Sequence, residues 1–377
     1  MELFKAHNQW KTRPQDERFK SVVALHSACS AHRRVAVEAD VSYKNLRVEA
    51  QGEEINLVGK AGTPAKLSHW AMGQLCQRAG APASYLRELP ATLAAQNLNH
   101  GLKARSDESP NDSAKLMLHQ NGGYTLRAVT GENYSRIWNA DVTERLVRLQ
   151  EANPNWQNPK AYKILSPAKN GGWPALTGEL EPAGLYASDH DMFAFLVDES
   201  KTIEGSPKGL NRGFFVWNSE VGASSFGVMT FLYDRVCGNN IVWGASNVTE
   251  MRIRHVGNAD TRAFHQLGVE LKRYADSSTS EVEAQIAYAR KYQLGATKEQ
   301  ALDGLMNAIG KLKLTNISRG RAEDALSLAE KREDRYGNPY SLWGAIGGLT
   351  EASQSIPHMD TRMKIERDAG KLMKVAF

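Results

Sequence analysis

Residues 184–200 read GLYASDHDMFAFLVDES, residues 212–244 read RGFFVWNSEVGASSFGVMTFLYDRVCGNNIVWG, and residues 251–262 read MRIRHVGNADTR. These stretches hold the densest apolar and aromatic runs of the chain, with Phe214, Phe215, Val216 and Trp217 in one and Phe226, Val228, Met229, Phe231, Leu232 and Tyr233 in the next. Short apolar runs bounded by turn residues are the mark of buried strands. Polar residues interrupt them: Asn218, Ser219 and Glu220, then Asp234, Arg235, Asn239 and Asn240. An unpaired buried polar group costs about 1–3 kcal/mol, so each must find a partner, a water or a ligand. The chain is therefore read around a central aromatic-rich sheet, and function is sought where its polar groups collect.

Working outward, residues 1–32 read as loosely amphipathic helix. From Arg33 to Lys60 the segments RVAVEADV, NLRVEA and EINLVGK alternate apolar and polar residues, predicting a three-stranded antiparallel meander. Ser68 is a suitable N-cap for a helix presenting Met72, Leu75 and Cys76, which ends before Gly80. Tyr85 to Leu102 reads as helix broken at Pro90, and KARSDESPNDS at 103–113 as a polar loop. KLMLHQ and YTLRAVT flank Asn121-Gly122-Gly123, a hairpin signal, and Tyr134 to Gln150 is amphipathic. Residues 153–174 read as an internal boundary. After Ala259 the period is helical to the C-terminus. The fold class is α+β: antiparallel sheets with a β-β-β-α start, a central aromatic-rich sheet, and an all-helical C-terminal third. The regions are 1–152, 175–262 in the same core, and 263–377.

With 41% hydrophobic and 24% charged residues, the 377-residue chain has the composition of a soluble globular protein. It has no apolar run near the roughly 18 residues of a membrane span, and its polar first residues lack a signal core. A cytoplasmic protein without membrane contact is expected. Cys29, Cys76 and Cys237 are sparse and scattered, which disfavours a disulfide framework and a Cys-x-x-Cys zinc site. No G-x-x-x-x-G-K-[ST] loop occurs, so P-loop ATP hydrolysis is disfavoured and no cofactor is expected. The net charge of +5 permits nucleic-acid binding without requiring it.

The period of two in MRIRH puts Arg252 and Arg254 on one strand face. With Lys208, Arg212, Arg235, His255 and Arg262 they are read as lining a basic groove beside aromatic residues. Cations for phosphates and rings for bases are what a single strand requires. Salt bridging with Glu220, Asp234 and Glu250 is the structural alternative. Asp189, Asp191 and Glu220 form a second candidate set, as metal ligands of a nuclease. Against it, consecutive residues on a strand point in different directions. A buried hydrogen-bond network that fixes a bulge or register accounts more simply for Asn218-Ser219-Glu220.

The segments GLYASDHDMFAFL, RGFFVWNSEVGASSFGVMTFLYDRVCGNNIVWG and RIRH resemble the phage/plasmid-like family known as domain of unknown function 932. LSHWAMGQLCQRAGAPASYLREL and LRAVTGENYSRIWN are similar to its N-terminal half. The resemblance implies a protein of a mobile element and supplies no catalytic residues. The β-β-β-α order also resembles phage single-strand annealing proteins such as Red-beta and Erf, which assemble and need no nucleotide. Together these lead to ATP-independent binding of single-stranded DNA, with annealing by a homo-oligomer. The alternatives are a metal-dependent nucleic-acid enzyme and a host-interaction or anti-defence protein. In the last segment, Ile365, Leu372 and Met373 need a surface to cover them, and a neighbouring copy is the expected one.

Overall fold

The computed structural model describes residues 13–59, 62–166, 175–182, 184–203, 209–234, 241–242, 250–353 and 359–376. The chain is α+β. Two sheets dominate, and helices concentrate toward the C-terminus.

The first sheet has six strands. They are β2 (Ala36–Ser42), β3 (Arg47–Gln51), β4 (Glu54–Val58), β5 (Pro64–Leu67), β6 (Ser113–Gln120) and β7 (Tyr124–Gly131), in the order β2-β6-β7-β5-β4-β3. Only β5 and β7 run parallel. Helices α2 (His69–Arg78), α3 (Ala83–Glu88) and α4 (Ala91–Glu108) cover one face, burying Leu75, Leu86 and Leu98 against Val48, Leu57, Leu116 and Leu126. Ser68 caps α2 by accepting the Ala71 N–H at 3.1 Å.

The second sheet is built on the quoted stretch. Its path runs β1 (Arg18–Phe19), β11 (Leu185–Ala187), β12 (Met192–Ile203), β13 (Leu210–Asn218), β14 (Phe226–Asp234) and β15 (Ile241–Val242). β8 (Trp156–Gln157) joins β12, and β16 (Glu250–Ile253) joins β14. A separate hairpin pairs β9 (Lys160–Ser166) with β10 (Ala175–Pro182). Alternation sorts the side chains. One face, with Phe214, Val216, Phe226 and Val228, packs on α1 (Val22–Arg34), α5 (Asn139–Ala152) and α6 (Ala259–Asp276). The other carries buried Tyr186, Phe193, Phe215, Trp217 and Phe231 in ring contact.

Two glycines make that aromatic face possible. Gly213 lies opposite Phe231 and Gly227 opposite Trp217 in the β13–β14 register. A Cβ at either position would overlap its partner's ring. The rings lie over the glycines and fill the space a side chain would take.

The helices α7 (Ser280–Lys291), α8 (Lys298–Lys311), α9 (Arg319–Glu330), α10 (Glu333–Tyr336), α11 (Leu342–Ser353) and α12 (Met359–Lys371) form the C-terminal bundle. Leu342 to Thr350 of α11 are all buried, as expected of a bundle's central helix. The core extends to Ile203, Leu210 and Leu232 at the sheet end.

Several expectations change. β2 and β3 do not pair, so the meander is not one: β3 and β4 form a hairpin, while β2 pairs with β6 from the distant hairpin. Alternation reports a strand's faces and says nothing of its neighbours. Phe19 lies on a strand beside Leu185, and the helix of that region begins at Val22 behind a Ser21 cap. The polar stretch from Lys103 continues α4 to Glu108. Ile365, Leu372 and Met373 are buried within their own chain, so they do not call for a neighbouring copy. Cys29 and Cys76 are free and buried, and Cys237 lies outside the described residues.

Candidate functional site

Asn218, Ser219 and Glu220 of the quoted stretch lie where the two sheets meet. The turn between β13 and β14 presses Val221 against Met117 and Ala128 on the back of the six-stranded sheet, with Trp70 and Trp138 beside it. Side chains from the N-terminal region hold its carbonyls. Tyr134 Oη donates to the Ser219 carbonyl at 3.1 Å, Arg136 donates to that of Glu220, and Trp70 Nε1 and Gln74 Nε2 donate to that of Val221 at 3.1 and 2.7 Å. Asn218 Nδ2 donates to the Ile137 carbonyl and to Asn139 Oδ1, at 2.7 and 2.8 Å. Glu220 Oε1 accepts the Asn139 N–H at 2.7 Å, at the start of α5. Burial pushes the Glu220 carboxyl up, against the pull of that N–H and of Arg127, Arg136 and Arg33. Asn218-Ser219-Glu220 is thus a structural joint, and its polar groups fix one sheet on the other.

The acids proposed as metal ligands have separate tasks. Asp191 is buried, with Arg13 Nη2 at 2.7 Å and Ser188 Oγ donating at 2.5 Å. Asp189 is exposed and meets His190 Nδ1 at 2.6 Å. Among the described residues no three His, Cys, Asp or Glu side chains gather as a metal-binding group. The 188–191 loop also reaches the first sheet. Arg127 donates to the Asp189 carbonyl, His190 stacks on Trp70 at 6.2 Å, and Ser219 Oγ donates to the His190 carbonyl at 2.6 Å.

The Asp189 hydrogen bond, helped by the charges of Asp191 and Asp189, holds His190 above the usual imidazole value despite partial burial. Asp189 is held below its own, first by the His190 hydrogen bond. A raised histidine gives stability that is complete below its unfolded value near 6.5 and is lost as pH rises through its folded value. The lowered aspartate gives stability complete above its unfolded value near 3.9 and lost as pH falls through its folded one. Both side chains are well exposed, so solvent screens the pair and the readout is titration. Asp189→Asn should move the His190 midpoint down in an NMR imidazole titration. An unmoved midpoint would show that the pair does not form in solution.

The predicted basic groove divides. Lys208 and Arg235 lie outside the described residues. Arg212 is 2% exposed and holds the C-terminal end of α6, donating from Nη1 to the carbonyls of Tyr274 and Ser277 at 3.0 and 2.8 Å. His255 is also buried, stacked on Tyr134 at 5.1 Å, and burial pushes it down to about 4. These two therefore do not line a groove: the Arg212 cation is bound to those carbonyls, and burial keeps the His255 imidazole neutral.

Arg252, Arg254 and Arg262 are exposed and share a corner. Arg252 follows the row Tyr186–Phe193–Trp217–Gly227 across the sheet, with its guanidinium 5.7 Å from the Trp217 ring. Arg262, in the first turns of α6, turns back so that Nη2 donates to the Val256 carbonyl at 2.8 Å, two residues from Arg254.

Sequence reasoning missed Trp70, Gln74, Arg127, Tyr134 and Arg136, which hold the joint from the other side. The unexplained Glu220 was itself a signal, since a buried carboxylate requires donors and cations from elsewhere.

No helix among the described residues is long and apolar enough to cross a membrane. No curated protein and no solved structure matches the chain. A family model described as a domain of unknown function, DUF932, matches residues 177–354, a span that begins in β10, takes in the quoted stretch and the joint, and ends after α11. Over that span, somewhat under half of its length, the chain is similar to the DUF932 family.

Proposed function

We propose that the protein binds single-stranded DNA without a nucleotide cofactor, through the corner formed by Arg252, Arg254 and Arg262. The observation that carries this reading is the exposure of all three cations where β16 leads into α6. Phosphate contacts supply most sequence-independent affinity, and such contacts need accessible cations. Annealing by a homo-oligomer belongs to the same proposal. It rests on the resemblance to annealing proteins, since the terminal helix is covered by its own chain.

Arg252→Ala with Arg254→Ala should weaken binding of a labelled oligonucleotide and flatten its salt dependence. Each phosphate that is no longer neutralised lowers the log–log slope by about 0.7, so two lower it by about 1.4. Fluorescence anisotropy across a salt series reads both quantities. Unchanged affinity and slope in a folded double variant would remove the corner from the site. Magnesium-dependent cleavage of the oligonucleotide would favour the nuclease reading instead.

A further inference from the structure

The two edges of the six-stranded sheet end differently. On β3, Asn99 of α4 occupies the pairing position: its Oδ1 accepts the Val48 N–H and its Nδ2 donates to the Val48 carbonyl, both at 2.8 Å. A helix side chain thereby closes that edge. On β2, no described strand lies on the side away from β6. β2 pairs with β6 over all seven of its residues without a register shift. The flanking bonds fix which residues face inward. The Gln120 N–H donates to the Val35 carbonyl at 2.8 Å, and the Tyr43 N–H to the Asp112 carbonyl at 3.4 Å. Antiparallel ladders alternate, so Val37, Ala39 and Val41 bond to β6. Ala36, Glu38 and Asp40 point their N–H and C=O groups outward.

An edge of this kind invites an added strand unless something blocks it. β2 has no Lys, no Pro and no bulge. Its charges are both acidic: Glu38, held by Arg136 Nε at 2.7 Å, and exposed Asp40. On the opposite face Val37 is 41% exposed. A second copy meeting this edge in antiparallel fashion would set Glu38 against Asp40, or each against itself, and like charges directly opposite are destabilising. The acids thus reject self-pairing and favour cations. We propose that β2 accepts an extended segment of a partner protein in which Lys or Arg alternates with aliphatic residues. The cations lie beside Glu38 and Asp40, the aliphatic side chains beside Val37 and Val41, and the main chain bonds to residues 36, 38 and 40. This is strand addition, in which backbone bonds give affinity and alternate side chains give specificity. It is independent of the DNA-binding reading.

The probe is a fluorescein-labelled peptide, Lys-Val-Lys-Val-Lys-Val-Lys, titrated with the full chain. Saturable binding is expected. N-methylation of the alternate amides that would face β2 keeps the charge but removes the hydrogen bonds, and should weaken binding about tenfold or more. Asp40→Pro removes an outward N–H and leaves the inward ladder intact, so it should abolish binding with the circular dichroism spectrum preserved. No binding, or equal binding of the N-methylated peptide, would overturn the proposal, and the peptide arm holds even if the proline variant fails to fold. A dimer in light scattering that Asp40→Pro dissociates would also overturn it, in favour of a second copy.

Discussion

Arg136→Ala should destabilise the fold by about 3–5 kcal/mol, the loss typical of removing one partner from a buried charged network. Arg136 is almost wholly buried, whereas its partner Glu38 is 38% exposed in the side chain. Glu38 regains water when the cation is removed, which places the expectation at the lower end of that range. The larger part comes from inside. The Glu220 carbonyl loses its guanidinium donor, and the buried Glu220 carboxyl loses one of the cations that favour its charged form. The rings of Tyr134 and Trp138, 5.2 and 5.6 Å from the guanidinium, lose their cation as well. Glu38→Gln should cost far less, because its amide oxygen still accepts from Arg136 Nε. Urea unfolding measures both variants. Since Arg136 ties the sheets together, the alanine variant is also expected to unfold in two steps. A loss below about 1 kcal/mol with one cooperative transition would show that the joint is held elsewhere.

Much of this architecture was legible because its signals are local. Period-two alternation located β2, β3 and β4, the Asn-Gly-Gly turn located the β6–β7 hairpin, and Ser68 announced α2. The register between distant segments was not legible: nothing in AVEADVS says that its partner lies beyond α4. The candidate site was half legible, for a related reason. Arg252 follows from alternation on its strand, whereas β16 ends at Ile253 and Arg254 lies just beyond it. Arg212 belongs to the same sequence class, yet the α6 end that arrives above it turns it into a buried cap, and that arrival is a tertiary event. Glu220 announced that donors were needed without naming them. They come from Asn139 and Arg136, some eighty residues earlier in the chain.

Gly227→Ala tests whether the aromatic face and the arginine corner act together. Gly227 sits in the middle of one cross-strand row, between Trp217 on β13 and Arg252 on β16. Its added methyl would meet the six-membered ring of the indole, and Trp217 is 2% exposed with Phe215 only 5.2 Å away. The indole has no free direction in which to move. Overpacking of this kind costs about 1–3 kcal/mol, more than the 0.5–1 kcal/mol by which alanine is preferred to glycine within a strand. A displaced indole also moves the ring over which the Arg252 guanidinium lies, so single-strand binding should weaken with stability. Trp217→Phe supplies the control, because phenylalanine lacks the outer ring atoms that the methyl meets. In that background Gly227→Ala should be nearly neutral, a coupling that a double-mutant cycle reads from urea midpoints. An equal loss in both backgrounds would place the strain outside the Trp217 contact, and it would separate the arginine corner from the aromatic face beneath it.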